Sequence, residues 1–491
     1  MTILRWTVLL LCLGVLSGCD IPVDIDRPEA PLLHSTAQTG ETAKALAAAV
    51  EPIAATTLLN EPALLHRFET TAEALDVWRQ EKSARPILLL LSNNPHLQPV
   101  PEPMRKRVSA LINSASTAEL AAASSDRRPA PLMLPGMAID AALRNGWFRE
   151  MIWALPLRDP DQQLSLEKFT EQLLQSGLAD ETEVATLTLG AQGFTGSLRG
   201  LPFAAAPLPK LARPDGPVVV HIDLGYFQPL YKNEIATPLF DVMFGTLVTL
   251  RDLQLDILAV TFSYGHRDSH ISLDVRFLGD VIAWLIENPA RFDQPIPRNW
   301  QRQRDALYLA NFFQKAKIRE LYEAQVEDAP NTAWIKFNLY RSAAEHKEGS
   351  KALDSLAEAV ALDPMFALEY MELSNMAYGK QRPDEALRML ELAAEVFHED
   401  PFLKLQIVQL FNELGDKETV LEMLNKLRNL EWAETSYYPG MKQYLAELTT
   451  FVQSGKQPSP EDASQSNSDR SELMNPDTDR DDRQRIMHTN R

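Results

Sequence analysis

The chain has 491 residues, more than one core holds, so two or more domains are expected. A hydrophobic share of 45% and a charged share of 23% are ordinary globular values, which excludes a wholly disordered or collagenous chain. The formal net charge of −19 opposes phosphate backbones, so no nucleic-acid partner is expected, and the acidity reads first as solubility.

Near the start of the chain, Arg5 precedes an apolar run from Trp6 to Leu16. These match the charged and apolar regions of a secretory signal, too short for a stable membrane span. The run ends in Leu16-Ser17-Gly18-Cys19, which resembles the bacterial lipobox. The resemblance implies a signal peptide over 1–18, cleavage before Cys19 and a lipid on Cys19 that ties the chain to a membrane. Asp20 is similar to the signal that retains lipoproteins in the inner membrane, facing the periplasm. Processing removes Cys12, which leaves one cysteine and no disulfide or thiolate metal site despite an oxidising compartment. Pro22, Pro28, Pro31 and Gly40 then mark a flexible tether over 19–43.

Residues 44–295 read as an α/β domain with a mostly parallel sheet in three layers. From Lys44 to Gln80 the pattern is helical, with Leu65, Phe68, Ala72, Leu75 and Trp78 on one face. Pro86 to Ser92 is a buried strand. Val108 to Leu120 is a helix, and Ala121 to Pro135 is a loop. Met137 to Asn145 is a helix that Gly146 caps, followed by a strand over Glu150 to Pro156. Leu164 to Ser176 is amphipathic. Val184 to Leu189 and Phe194 to Arg199 form a hairpin, and Leu201 to Leu211 is a Pro- and Ala-rich connection. Val218 to Phe227 is the central strand, with Asp223 near its end. Pro238 to Leu253 is a helix, Leu255 to Ser263 a strand and Ser272 to Asn288 a helix.

The segment Val218-Val-Val-His-Ile-Asp-Leu-Gly225 resembles the strand of the arginase and deacetylase-like fold that ends in two metal-holding aspartates. The following helix, the strand ending in Thr261-Phe-Ser-Tyr264, and Ala142 to Pro156 are similar to further parts of that family. The resemblance covers roughly 85–288. It matches Asp223 to the first aspartate but puts Gly225 where the second belongs. A hard-cation site that loses a carboxylate loses much of its affinity, so this copy is expected to be metal-free or to use other ligands.

In 296–452 a period of 34 emerges. It relates Ala352, Ala386 and Val420, then Leu356, Leu390 and Leu424, then Ala359, Ala393 and Leu427. The period resembles the tetratricopeptide repeat. About three repeats run from Asn331 to Trp432. A helical pair over Asp305 to Glu327 precedes them, and a capping helix over Lys442 to Val452 follows. Such stacks bind partner segments. Residues 453–491 cannot bury a core and are expected to be disordered.

Ligands meet open parallel sheets at the carboxyl ends of the strands. The residues placed there are Asn93, Asn94 and His96; Arg158 and Asp159; Asp223 and Tyr226; and Ser263, Tyr264, His266, Asp268 and His270. Asp223, His221, His266, Asp268 and His270 are the metal candidates; imidazoles four apart, as at His266 and His270, share a face if helical. The bland readings weigh more: Asp268 or Ser269 caps the next helix, and His221 is a core histidine bonded to backbone. No Gly-x-Ser-x-Gly or Walker loop occurs. No residue is singled out as catalytic and no cofactor is expected, a divalent metal being the one candidate. The expected function is a membrane-anchored lipoprotein that binds a protein partner through its repeats, beside a non-catalytic α/β domain. The alternatives are a metal-dependent hydrolase of an amide or amidine C–N bond and a structural repeat protein of envelope assembly.

Overall fold

The computed structural model describes residues 56–267 and 271–454. The expected signal peptide, Cys19, Asp20, the expected tether, Asp268, His270 and the residues beyond Ser454 lie outside the described residues.

The amino-terminal half is built on one sheet. Its strands are β1 (Thr56–Thr57), β2 (Leu65–Phe68), β3 (Ile87–Leu91), β4 (Glu150–Leu155), β5 (Thr188–Leu189), β6 (Phe194–Leu198), β7 (Leu201–Pro207), β8 (Val218–Asp223) and β9 (Asp256–Ser263). Six neighbours run parallel in the order β2-β9-β8-β3-β4-β7, and β6 and β5 extend the sheet antiparallel beyond β7. β1 pairs antiparallel with the start of β9.

The apolar runs form central strands because both faces are covered. Every residue of β3 and β8 is buried. Ile87, Leu89 and Leu91 pack with Val218, Val220 and Ile222 on one face, and Leu88 and Leu90 with Val219 on the other. Each such side chain contributes about 1.5–3 kcal/mol on leaving water. The helix Leu239–Asp252 packs on the first face and the helices Arg105–Ser114 and Ala138–Arg144 on the second. Gly146, at φ +69°, ends the last of these.

Several expectations need correction. Leu65 and Phe68 do not continue a helix from Lys44. They lie in β2, paired with Val260 and Ser263, and the helix starts later, at Leu75–Glu81. A three-and-four spacing over so few residues cannot be told from a strand edge that buries part of one face. Leu201–Pro207 is a strand, not a connection. Alanine and proline are poor strand formers, but β4 and β6 flank this segment and supply its ladders. The expected helix over 108–120 is two, Arg105–Ser114 and Thr117–Ser124, because Ser116 caps the second by accepting from the Glu119 N–H. The helix expected from Ser272 begins as a single tight turn, Leu273–Val275, capped by Ser272 itself, and continues as Phe277–Ile286.

The carboxy-terminal half is helical throughout. Arg298–Ala310 and Lys315–Asp328 form a first pair. Ala333–Glu345 with Gly349–Leu362, Leu368–Gly379 with Pro383–Val396, and Pro401–Leu414 with Lys417–Arg428 follow, and Met441–Ser454 closes the array. The residues of the 34-residue columns are buried: Ala352, Leu356, Ala359, Ala386, Leu390, Ala393, Val420, Leu424 and Leu427. Alanine in two of the columns allows helices to approach closely.

The two halves share one core. A single apolar cluster runs from Ile87 and Val218 in the sheet to Trp334, Phe366 and Leu403 in the helices. The rings of Phe277 and Trp334 sit 5.7 Å apart across the boundary. The loops leaving β2 and β9 meet the turns between helix pairs. Arg276 grips Glu69 through two bonds of 2.5 and 3.1 Å and Asp363 through one of 2.5 Å, with its guanidinium 4.0 Å from the Tyr264 ring centre. Arg267 lies over Phe397, which is 34 residues after Asp363. Further on, Tyr437 and Tyr438 donate to the carbonyls of Leu132 and Asp126 at 2.9 and 2.6 Å.

Candidate functional site

The sheet reverses its winding between β3 and β8. β3 leads to β4 on one side, and β8 leads to β9 on the other. In open parallel sheets, ligand sites open at such a point, beyond the carboxyl ends of the strands. A polar cluster occupies that end here.

Register builds the cluster. His221 pairs with Thr261 and Asp223 with Ser263 on adjacent parallel strands, so the four side chains share one face. His221 Nδ1 lies 3.0 Å from Thr261 Oγ1, and its Nε2 lies 3.2 Å from both Ser263 Oγ and Thr71 Oγ1. Trp78 donates to Thr261 at 3.1 Å and meets the imidazole edge-on. The expectation that His221 bonds to backbone is corrected, since hydroxyls hold both ring nitrogens. Burial pushes its pKa down to about 3, so the ring is neutral.

Asp223 is fully buried. One carboxyl oxygen accepts from the Gly225 N–H at 2.8 Å and the other from Ser263 at 2.7 Å. Burial pushes its pKa up, while nearby His96 and the two donors pull it down. His96 is buried on the neighbouring rim, at the left-handed φ of +50°. Its Nε2 is 3.4 Å from Ser92 Oγ, and Asn94 Oδ1 accepts from its backbone N–H. Burial pushes the His96 pKa down. Among the described residues, His96 Nδ1 and Asn93 Oδ1 are buried without a hydrogen bond.

Gly225 explains the shape of this rim. A methyl group there would stand 2.6 Å from Asp223 Oδ1 and 2.9 Å from Asn93 Oδ1. The position therefore has no room for an aspartate while these neighbours stay in place. The carboxylate and imidazole of the cluster are committed to protein partners. Asp223 has both oxygens engaged, His221 has both nitrogens facing hydroxyls, and Gly225 contributes no ligand. Among the described residues, no three His, Cys, Asp or Glu side chains converge as a metal site.

His266 is placed elsewhere. It donates from Nδ1 to the Ile271 carbonyl at 2.7 Å and stacks on Tyr264, with its Nε2 buried and unpartnered. Burial lowers its pKa to about 4, and Arg276 adds to the shift. Its charged neighbours are Arg276 and Asp363, so it belongs to the contact between the two halves. The chain at His266 and Arg267 is not helical, so the helical spacing required for a shared face with His270 does not arise from that end.

Thr71, Trp78, Ser92 and Thr261 complete the cluster but did not stand out in the sequence. A signal was available for one of them. His221 and Asp223 on β8, and Thr261 and Ser263 on β9, are polar pairs two apart closing otherwise apolar strands. No protein-family model matches the chain, and no curated protein sequence matches it. No described helix is long and apolar enough to cross a membrane.

Proposed function

We propose that the chain is a lipid-anchored lipoprotein facing the periplasm that acts by binding a protein partner. Its helix pairs are tetratricopeptide repeats, and its sheet domain is a degenerate, non-catalytic relative of the arginase and deacetylase-like fold. The observation that carries the reading is Asp223, the one matched ligand position, which is fully buried with both oxygens bonded. The 34-residue spacing supports the repeat assignment. A hollow of about 220 Å³ between successive helix pairs, lined by Tyr340, Leu353, Leu373, Met376 and Met389, offers an apolar seat for a partner segment.

One observation favours a second reading, a metal-dependent C–N hydrolase. The unpartnered Asn93 Oδ1 and His96 Nδ1 lie on the same rim as Asp223. The two readings separate on purified full chain prepared without chelator. The binding reading expects no stoichiometric metal by elemental analysis and an unchanged Tm on adding zinc or manganese. Metal-dependent hydrolysis of amide or guanidino substrates overturns it. A photo-crosslinker replacing Met376 in the intact envelope should give a discrete adduct that the same probe at exposed Leu174 does not.

A further inference from the structure

The first helix pair ends in a tip that carries all the exposed large aromatics of the described residues. Tyr308, Phe312 and Phe313 are 49%, 47% and 84% exposed. No other aromatic ring of the described residues is as exposed, so their grouping within six residues is a local feature and not a general looseness of packing. Phe313 also holds a left-handed φ of +54°, which a phenylalanine rarely adopts. Backbone bonds fix that shape: Phe313 N–H donates to the Ala310 carbonyl at 3.1 Å and Lys315 N–H to the Phe313 carbonyl at 2.9 Å. The tip is firmly mounted. Buried Gln303 accepts from Asn338 at 2.7 Å, and Gln325 donates to the Asn299 carbonyl at 2.7 Å, which ties the pair to the next helix.

The charge here runs against the rest of the molecule. Residues 298–319 hold six Lys or Arg against one Asp, and the four acids that follow on the second helix, Glu320, Glu323, Glu327 and Asp328, still leave the pair at a formal +1 in a chain of −19. Arg302 pairs with Asp328, Arg319 with Glu323 and Glu348, and Lys315 lies 3.9 Å from Glu345. Arg298, Arg304 and Lys317 form no ion pair among the described residues. Asp305 and Glu320 line a shallow hollow with Tyr308 and Lys317. Aromatic rings flanked by lysines suit the headgroup layer of a bilayer, where rings sit among the acyl carbonyls and ammonium groups meet phosphates.

We propose that this tip docks on an anionic lipid surface, with Phe312 and Phe313 entering the headgroup layer and Lys315 and Lys317 engaging lipid phosphates. The tip would then fix which face of the globule lies against the bilayer. The proposed anchor alone cannot do that, because Thr56 is 37 residues after Cys19 and a chain of that length reaches up to about 130 Å. The docking rests on the lipoprotein reading only for bringing the bilayer near.

The test is hydrogen exchange of the full chain, read by mass spectrometry, in detergent, on phosphatidylcholine vesicles and on vesicles rich in phosphatidylglycerol. Amides of 308–317 should exchange about tenfold more slowly on the phosphatidylglycerol vesicles than in detergent, and clearly less slowly on phosphatidylcholine. Phe312→Ser with Phe313→Ser should abolish the difference, and Lys315→Gln with Lys317→Gln should remove the preference for phosphatidylglycerol. Unchanged exchange on both vesicle types overturns the proposal, and equal slowing on both overturns the anionic choice. Slowing that appears without vesicles as protein concentration rises assigns the tip to self-association and also overturns it. The mass of the amino-terminal peptide in the same samples reports acylation of Cys19, so either reading can fail alone.

Discussion

Asp223 and Gly225 are a matched pair, and substitutions should reveal it. Asparagine at 223 can still accept from Gly225 and donate to Ser263, so Asp223→Asn should keep the Tm within a few degrees. Asp223→Ala leaves a buried N–H and a buried hydroxyl without their acceptor, and urea denaturation should show a loss of about 2–3 kcal/mol. Gly225→Asp would write a two-aspartate motif here but meets Asp223 and Asn93 at close range. It should destabilise the fold by about 1–3 kcal/mol, and its Tm should not rise with zinc or manganese; a metal-dependent rise would mean the rim can open to hold a cation. Protonation has a definite sign at this scale. His221 and His266 fall to about 3 and about 4 when folded, so the unfolded chain takes up protons that the fold refuses. Stability is full above about pH 6.5, the ordinary histidine value. Below it, each ring removes up to about 1.4 kcal/mol per pH unit down to its folded value. His266→Gln should flatten a plot of unfolding free energy against pH between 6.5 and 4. Asp223 works the other way: its raised pKa means stability declines as pH climbs through and above the ordinary carboxylate range, a slope that Asp223→Asn should lack.

At the scale of elements, the runs that became β3, β4, β8 and β9 were legible because strands covered on both faces need continuous apolar sequence. β2 and β7 were not. Leu65-His-Arg-Phe and Leu201-Pro-Phe-Ala-Ala-Ala-Pro are strands only because their partners hold them: β9, about 195 residues on, for the first, and β4, about 50 residues back, with the adjacent β6 for the second; such pairing is not written in the local pattern. The candidate site divides the same way. Its strand-end members, Asp223, His96 and Ser263, could be placed from the sequence alone. Thr71 and Trp78 could not, because they reach His221 and Thr261 from an element before β3. The helix columns were readable for the opposite reason, since their contacts are local and repeat. Arg276 tests how the elements of the two halves are joined. Removing it strands Glu69 and Asp363 and uncovers the Tyr264 ring. Arg276→Ala should therefore lower stability by about 3 kcal/mol in denaturant titration. Arg276→Lys, which cannot bridge both carboxylates with the same planar fork, should recover only part of that.

Across the whole molecule, the continuous apolar cluster predicts cooperation between the halves. Exchange of amides in β3 and in Ala333–Glu345 should report the same opening free energy, and calorimetry should show one main transition; two well-separated peaks would deny the shared core. The last helices also form a local cluster of their own around Leu424, Trp432 and Leu445, so the earliest fraying should begin there.

The hydrogen bonds from Tyr437 and Tyr438 to the 126–132 loop have a mechanical consequence. A stack of helix pairs free at one end behaves as a spring and can wind or unwind to grip what it holds. Here the coil is clamped by Asp363 partway along and by the two tyrosines near its far end, with the sheet as the frame. To the partner proposed above, a clamped coil would present a mould set before arrival, so the shape of the groove, not its give, would do the choosing.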